Sequence, residues 1–592
     1  MMLAFASPVL ALFFAQAMGK HPPDPQPKMQ ELSRLTAKAS PSGARAVVEA
    51  IPEKNFIDKF IFERMKRDNI PHAGLSSDPE FFRRIHLDLT GRLPEPAAIR
   101  KFVEDKDAAK RDKLIEELMA TKFGLQLQKI QTPFLDRWAY FFGELLRNGT
   151  AQQGMGRNVF HDYLYDALML KVPYDQLVTE MITAKTRSNW QDGPSNLLVR
   201  DHVDGAKDLE GVNNEDGFDE MAITTSRLFL GINLECVSCH DGKGHLEKIN
   251  TGLANLKRVE MWRQAAFFGK TRVYRPYSIS QEFAVQDDYP GYDLKSKSVV
   301  RMQRYKADIA PRFILTGEQP KPGENWRAAY ARMLTSHPQF ARATVNLIWA
   351  ELMGVGIVDP PLDFDLAKQD TQPSNPELLD ALAKDFSDHK FDLRYLIHTI
   401  VSSNTYQLSS RFNGEWKDSY APYFARHFIR RLSPEMICDA IQSSTDVFDE
   451  IPIAGTSIKV QRVMQTRSPE DLGGPKLRPM VHLLTSFGQN NRDKGEKETT
   501  GSTVQASVLL NSPFVKDRIK PGTQNRISKL LQSDPPMSNE AMVDEMFLAF
   551  LSRWPNAAEK KTAIESLEKY HGQGLEDLAW GLINKVEFVF NY

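Results

Sequence analysis

The feature that most constrains the fold of this chain is the recurrence of apolar residues at three- and four-residue spacing. In NFIDKFIFERMKRDN, the side chains of Phe56, Ile57, Phe60, Ile61 and Met65 share one face of a helix. The same spacing recurs in FLDRWAYFFGELLRN, FARATVNLIWAELMG and AMVDEMFLAFLSRWP, whereas alternating strand patterns are scarce. The spacing predicts a mainly α protein.

The length of the chain predicts more than one folded unit. A chain of 592 residues is too long for one hydrophobic core. We predict one helical domain at 51–268 and a second at 321–592. Between them, residues 269–320 mix Tyr, Pro, Asp and Gly with short β-type runs such as TRVYRPYSI, which predicts an irregular, partly β connection between the two helical domains.

The N-terminus has the pattern of an export signal. An apolar run over Leu3–Ala15 is followed by the small-x-small sequence Ala15-Gln16-Ala17, which predicts a signal peptide at 1–17. Residues 18–50 are rich in Pro, Ser and Ala and predict a linker. The run is short and contains Pro8, but no Lys or Arg precedes it, so an uncleaved anchor or a different start codon are alternatives.

Export predicts a periplasmic or cell-surface protein without an integral membrane span after signal cleavage, since no later stretch approaches about 20 uninterrupted apolar residues.

The charge balance excludes nucleic acid as a partner. The chain has 75 Lys and Arg against 76 Asp and Glu, so it has no net positive charge that would attract a phosphate backbone. The chain also lacks the nucleophile-elbow, zinc-protease, P-loop and dinucleotide motifs, so no sequence motif supports a hydrolase or nucleotide-binding function.

The chain contains only three cysteines, and two of them lie in Cys-Val-Ser-Cys-His. A c-type haem requires two thiols that add across its vinyl groups and one imidazole that binds the iron. Cys236, Cys239 and His240 supply all three groups within five residues. They predict covalently bound haem c with His240 as the proximal ligand. The third cysteine, Cys438 in LSPEMICDAIQ, is predicted to be a small buried core residue.

A haem also needs a sixth ligand or an open distal face. Met261, on the next helical stretch, is the first candidate, followed by Met221 and His202; His245 is too close in sequence to His240 to reach the opposite side of the ring. A Met or His sixth ligand favours electron transfer with a redox partner protein, whereas an open position favours small-molecule or peroxide chemistry.

Three other interpretations use the same residues. Cys236 and Cys239 could form a redox-active disulfide, and together with His240 and His245 they could bind zinc, although adjacent ligands strain a tetrahedral site. The segment could also bind nothing. The leading hypothesis is extracytoplasmic electron transfer or haem-dependent oxidation. The alternatives are a non-redox cell-surface scaffold or binding protein with a metal- or disulfide-stapled knot, and a metal-dependent hydrolase that uses the two histidines.

Several segments resemble known families, in the same order along the chain. NFIDKFIFERMKRDNI, FFRRIHLDLTGRLPEPAAIRKFVED and TSRLFLGINLECVSCHDG resemble the planctomycete-type cytochrome-associated domain DUF1549 (PSCyt2). FARATVNLIWAELMGVGIVDPPLDF, RRLSPEMICDAIQ and LINKVEFVFNY resemble its usual partner domain, DUF1553 (PSD1). The resemblance implies an exported protein of suspected cytochrome character, without an established activity, and it carries over to Cys236, Cys239 and His240.

The chain departs from the pattern of these relatives at two places. Many relatives follow the motif with a His-Pro-Phe-Asp or His-Lys-Phe-Asp segment, whereas this chain continues Asp241-Gly242-Lys243-Gly244-His245-Leu246. His86 stands where relatives often have Tyr. The first departure leaves the second ligand, and the choice between haem and metal, open.

Overall fold

The structure is a computed structural model that describes residues 28–40, 51–121, 132–204, 212–277, 280–307, 309–468, 472–489, 492, 502–520 and 524–592. The predicted signal peptide at 1–17 lies outside the described residues, as do both ends of the predicted linker.

The prediction of a mainly α protein is confirmed. The first sixteen helices of the described chain are α1 (Lys28–Ala39), α2 (Phe56–Arg67), α3 (Asp78–Thr90), α4 (Pro96–Glu104), α5 (Lys110–Met119), α6 (Pro133–Leu145), α7 (Gly156–Leu170), α8 (Tyr174–Thr183), α9 (Asn196–Arg200), α10 (Asn214–Leu230), α11 (Thr251–Ala254), α12 (Arg258–Ala265), α13 (Trp326–Ser336), α14 (Pro338–Met353), α15 (Pro376–Asp388) and α16 (Leu393–Ser402). They are followed by α17 (Pro434–Thr445), α18 (Arg478–Ser486), α19 (Thr503–Asn511), α20 (Pro513–Ile519), α21 (Arg526–Leu531), α22 (Asn539–Leu551), α23 (Ala557–Tyr570) and α24 (Gly572–Ile583).

The strands of the described chain form only antiparallel pairs of two to three residues. β1 (Arg272–Tyr274) pairs with β2 (Ala284–Gln286), β3 (Arg430–Arg431) with β6 (Phe590–Asn591), and β4 (Ile451–Pro452) with β5 (Lys459–Val460). The β3–β6 pair joins the C-terminus to the middle of the chain.

Local sequence signals set the ends of the helices. Ser77 caps α3 by accepting the Glu80 N–H, and Gly91 ends the same helix in the left-handed region at φ 66°. Gly231 ends α10 in the same way at φ 68°. A side chain at either glycine would be strained in this conformation, so glycine allows the chain to turn sharply after each helix.

The apolar side chains form two hydrophobic cores. The first core gathers residues from Met29 to Phe428 together with Leu548, and the second gathers residues from Leu432 to Phe588 together with Leu87, Leu93 and Tyr140. Helices α13 to α16 therefore pack in the first core, although they lie in the predicted second domain, 321–592. The cores meet near residue 430, and the predicted domain boundaries stay a prediction.

The predicted linker 18–50 contains a packed helix, which corrects that expectation for α1. Met29, Leu32 and Thr36 are buried at three- and four-residue spacing. The Ser33 hydroxyl donates to Asp418 Oδ1 (2.7 Å). The Pro- and Ser-rich flanks hid a short amphipathic pattern whose stability comes from packing against distant parts of the chain.

The predicted connection at 269–320 is partly β, as expected, and its second half is anchored to α10. We call residues 287–305 the strap. The Arg304 side chain is 1% exposed, and its Nη2 lies 2.6 Å from both Asp216 Oδ1 and Asp219 Oδ2. The Tyr292 hydroxyl donates to Asp219 (2.5 Å). Buried, mutually satisfied charges fix this irregular segment in place.

Asp88, which the sequence places near His86, has a structural role at the junction of the two cores. Its buried carboxylate accepts hydrogen bonds from the Tyr406 hydroxyl (2.6 Å), the Asn591 amide (2.6 Å) and Arg430. The group therefore links α3 to the β3–β6 pair, and this arrangement favours a structural role over acid–base chemistry.

Stability should fall in acid because of His161 on α7. Burial, with Arg467 and Arg492 acting in the same direction, lowers the pKa of His161 from 6.5 to about 4. A lowered folded-state pKa favours the neutral ring, so this contribution is present above pH 6.5 and is lost as the pH falls toward 4. Between pH 6.5 and pH 4, we expect the free energy of unfolding of His161→Phe to fall by roughly 3 kcal/mol less than that of the wild type.

Urea unfolding measured across this pH interval checks the prediction. His482 on α18 is exposed, and His482→Phe is the matched control for the loss of a histidine. Equal acid sensitivity in the wild type and in His161→Phe would show that His161 does not contribute.

Candidate functional site

The Cys-Val-Ser-Cys-His segment forms a single tight turn after α10, which we call the Cys–His turn (residues 236–240). Cys236–Ser238 is a 3₁₀ helix, and the N–H groups of Cys239 (3.2 Å) and His240 (3.4 Å) donate to the Cys236 carbonyl. A 3₁₀ helix has three residues per turn, so residues i and i+3 lie nearly one above the other. This conformation brings both thiols to the same side of the turn.

Both thiols of the Cys–His turn are free and half-buried. Burial raises the pKa of the Cys236 thiol, and the carboxylate of Glu235 and the thiol of Cys239 act in the same direction. A thiol with a raised pKa is a poor nucleophile for disulfide exchange at neutral pH. The environment of Cys236 therefore does not favour a redox-active disulfide.

The imidazole of His240 is half-buried, and its Nδ1 lies 2.8 Å from the Asp241 carbonyl oxygen. In the neutral tautomer that donates this hydrogen bond, the lone pair is on Nε2, the usual iron-binding atom of a histidine whose other nitrogen is held by a carbonyl. The ring of the exposed His245 lies beside it, with ring centroids 4.5 Å apart. The geometry of His240 therefore suits a proximal ligand.

The zinc alternative requires four ligands around one point. Cys236, Cys239, His240 and His245 all belong to the described residues, and within these no group of three or more His, Cys, Asp or Glu side chains could hold a metal ion. The two imidazoles approach each other, but the thiols do not complete a tetrahedron with them.

Two arginines that the sequence analysis did not single out hold the Cys–His turn. Arg258 Nε donates to the Ser238 carbonyl (2.7 Å), and its two other nitrogens donate to the carbonyls of Met302 and Gln303 in the strap. Arg301 Nε donates to the Ser238 hydroxyl (2.8 Å). These arginines tie the turn to α12 and to the strap. No local pattern marks them, because their partners are 20 and 63 residues away.

The predicted sixth ligands lie inside the protein. Met261 on α12 is fully buried, and so is Met221 on α10. His202 Nδ1 lies 2.7 Å from the Val199 carbonyl, and its Nε2 lies 3.6 Å from Asp204. A ligand role for Met261 would require the haem to enter the packed first core. None of the three is brought to the solvent side of the turn.

The strap instead presents a different methionine next to the Cys–His turn. Met302 is 64% exposed, and its carbonyl shares the Arg258 guanidinium with the carbonyl of Ser238. Val299 and Val300, on the same strap, are also more than half exposed. An exposed apolar strip therefore adjoins the turn. This strip was not predicted, because it lies in the segment 269–320, whose sequence indicates only an irregular, partly β connection.

Comparison with known proteins assigns both parts of the chain to families. Residues 56–271 match the model of PSCyt2, described as a protein of unknown function (DUF1549), and residues 326–567 match that of PSD1, described as a protein of unknown function (DUF1553). The chain belongs to the DUF1549–DUF1553 family. No curated protein and no solved structure matches the chain.

The two family segments of this DUF1549–DUF1553 protein are not separate in space. The DUF1549 segment contains the Cys–His turn and ends just before β1, and the DUF1553 segment begins at Trp326, the first residue of α13. Because α13 to α16 pack in the first core, part of the DUF1553 segment helps to build the scaffold of the turn. Within the described helices of this protein, none is both long and apolar enough to cross a membrane.

The Cys–His turn of the DUF1549–DUF1553 protein faces solvent on one side. Lys243, Gly244 and His245, which follow the turn, are exposed. A cavity of about 620 Å³ begins beside Glu235, but Cys236, Cys239 and His240 do not line it. A planar ring attached to both thiols would therefore lie at the surface.

Proposed function

We propose that this protein carries a covalently attached c-type haem, bound through Cys236 and Cys239 with His240 as the proximal ligand, and that it serves extracytoplasmic electron transfer or haem-dependent oxidation. The observation that carries the proposal is the Cys–His turn itself: two free thiols at positions i and i+3 of a 3₁₀ turn, followed by an imidazole whose Nδ1 lies 2.8 Å from a carbonyl oxygen.

The residues present fit the group that the motif implies. Thioether formation requires two reduced thiols that are reachable from solvent and lie on the same side of the chain. Cys236 and Cys239 are free and half-buried, and their i, i+3 positions in a 3₁₀ turn favour the same side. Arg258 holds the backbone carbonyl of Ser238 between them, and Arg301 holds the Ser238 hydroxyl, so these contacts pre-organise the spacing of the two thiols.

The exposed position of the turn favours electron transfer. A haem c held there would supply a one-electron iron couple whose edge a redox partner protein could approach. The apolar strip of Val299, Val300 and Met302 would exclude water from one part of the ring, since apolar surroundings and restricted solvent access tune the potential of such sites.

Export is part of the same proposal. Haem c is attached outside the cytoplasm, and the predicted signal peptide at 1–17 would deliver the chain there. The name of the PSCyt2 family supports a cytochrome-associated context.

The proposal is tested by producing the full chain, with its N-terminus, in a bacterial host that has a haem-attachment system. We expect a Soret band in the visible spectrum and a haem stain that survives denaturing electrophoresis. A colourless protein, purified beside a known c-type cytochrome that matures normally in the same host, would overturn the proposal.

Met302 would be the candidate sixth ligand of a haem bound at the turn, because it is an exposed methionine whose backbone is tied to the turn through Arg258. Met302→Ala should remove the long-wavelength charge-transfer band of a thioether-ligated ferric haem and lower the reduction potential, since methionine ligation raises it. Val300→Ala, a neighbouring truncation without a thioether, is the matched control. An unchanged band in Met302→Ala that disappears in Met261→Leu would assign the role to Met261 instead.

A further inference from the structure

A cavity of about 620 Å³ lies where the two hydrophobic cores meet. Side chains from α1, α6 and α10 form its walls on the side of the first core, and the segment that leads into α17 forms the opposite wall. The volume falls in the range of pockets that hold small organic ligands. Because the two walls belong to different cores, a bound molecule would contact both at once.

The lining of the cavity combines cations with apolar side chains. Seven arginines and one lysine line it, against six glutamates. Leu32, Phe141 and Met436 provide apolar surface between them. Arginines present a planar, bidentate donor set that matches carboxylate geometry. The composition of the wall therefore matches an anionic group attached to an apolar body.

Some of the charge in the wall is already compensated. Arg137 pairs with Glu351, and Arg492 pairs with Glu144, so these four side chains cancel within the lining. Glu220 is compensated from outside, because it lies 2.7 Å from Arg301 of the strap. Arg430 is likewise paired with Asp88, and Arg200 with Asp201, so an added acceptor would be bound by individual donor groups and not by a net positive charge of the lining.

Arg200 has an unused hydrogen-bonding group at this wall. Its side chain is more than nine-tenths buried, and its Nη2 donates to Thr224 (3.0 Å) and lies near Asp201 (3.1 Å). Its Nη1 is buried and has no hydrogen-bond partner in the described part of the chain; the same holds for Nε of Arg137. A buried guanidinium donor without an acceptor is costly, and an acceptor supplied from outside the protein would remove the cost.

We infer that this cavity is a binding site for a small organic anion, a carboxylate attached to an apolar group. The carboxylate accepts a hydrogen bond from Nη1 of Arg200, and the apolar part lies against α1 and α6. The inference does not depend on the haem, because none of the three haem-binding residues lines the cavity. Binding is expected equally in a Cys236→Ala variant.

The inference is tested by calorimetry on the full chain with a panel of aromatic and aliphatic mono- and dicarboxylates, each paired with its uncharged amide. We expect saturable binding of at least one carboxylate, at least tenfold tighter than its amide, and a rise in thermal midpoint, since a ligand that binds only the folded state stabilises it. Inorganic phosphate alone should bind more weakly. No binding by any panel member, or phosphate binding as tight as the best carboxylate, would overturn the inference.

Two variants locate the binding in the cavity. Arg200→Gln removes the unused donor and should weaken carboxylate binding at least tenfold, and Ile223→Trp should abolish binding by filling the cavity from α10. Arg332→Gln is the matched control, because Arg332 is paired with Glu318 and Glu324 at the surface and does not line the cavity. Undiminished affinity in a folded Ile223→Trp protein would place the binding elsewhere.

Discussion

The double variant Cys236→Ala/Cys239→Ala is expected to contain no covalent haem, while the helical content and unfolding midpoint stay close to those of the wild type. Each thiol supplies one of the two bonds to the ring, and neither side chain is part of a core interior. Each single variant should keep at most one thioether bond and a reduced haem yield. The measurement is haem stain intensity per protein after denaturing electrophoresis.

Cys438→Ala is the matched control for this series. Cys438 is fully buried on α17 in the second core, as the sequence predicted, and burial raises the pKa of its thiol far above its ordinary value. Its truncation should reduce stability by about 1 kcal/mol and leave the covalent haem per folded protein unchanged. Full haem content in the double variant would show that attachment occurs elsewhere.

Arg304→Met is expected to lower the free energy of unfolding by about 3–5 kcal/mol, because it leaves two buried carboxylates without their cation. Asp216 and Asp219 are both fully buried, and Arg304 is the side chain that bridges them. The strap should also detach from α10. Arg304→Lys keeps the positive charge but loses the planar donor set, so its free energy of unfolding should lie between those of the wild type and Arg304→Met.

Urea unfolding and limited proteolysis of the strap measure both effects of this change. Arg332→Met is the control, since its ion pairs are partly exposed and surface pairs contribute about 0–1 kcal/mol. An Arg304→Met protein within about 1 kcal/mol of the wild type, with no new cleavage in residues 287–305, would show that the buried charges do not anchor the strap.

The sequence carried enough information to predict the helices, because the periodicity of apolar residues is local. The end of α3 at Gly91 was predictable for the same reason, since a glycine signal needs no distant partner. The short distance between Cys236 and His240 also made the Cys–His turn visible without a structure.

Features that depend on contacts between distant segments were not predictable. The helix α1 is stabilised by partners more than 380 residues away, such as Asp418. Arg258 and Arg301 also contact the turn from distant positions in the sequence, 20 and 63 residues from Ser238. Nothing in their local sequence distinguishes them from surface arginines. The meeting of the cores near residue 430, inside the DUF1553 segment, depends on packing that no local pattern encodes.

Peptide mass spectrometry of the protein matured in a haem-attaching host tests whether Cys236, Cys239 and His240 hold one haem. The proteolytic peptide containing residues 236–240 is expected to carry the mass of one haem and to resist alkylation at both cysteines. Recovery of that peptide with both cysteines alkylated and no added mass, beside a control cytochrome that is fully loaded, would contradict it.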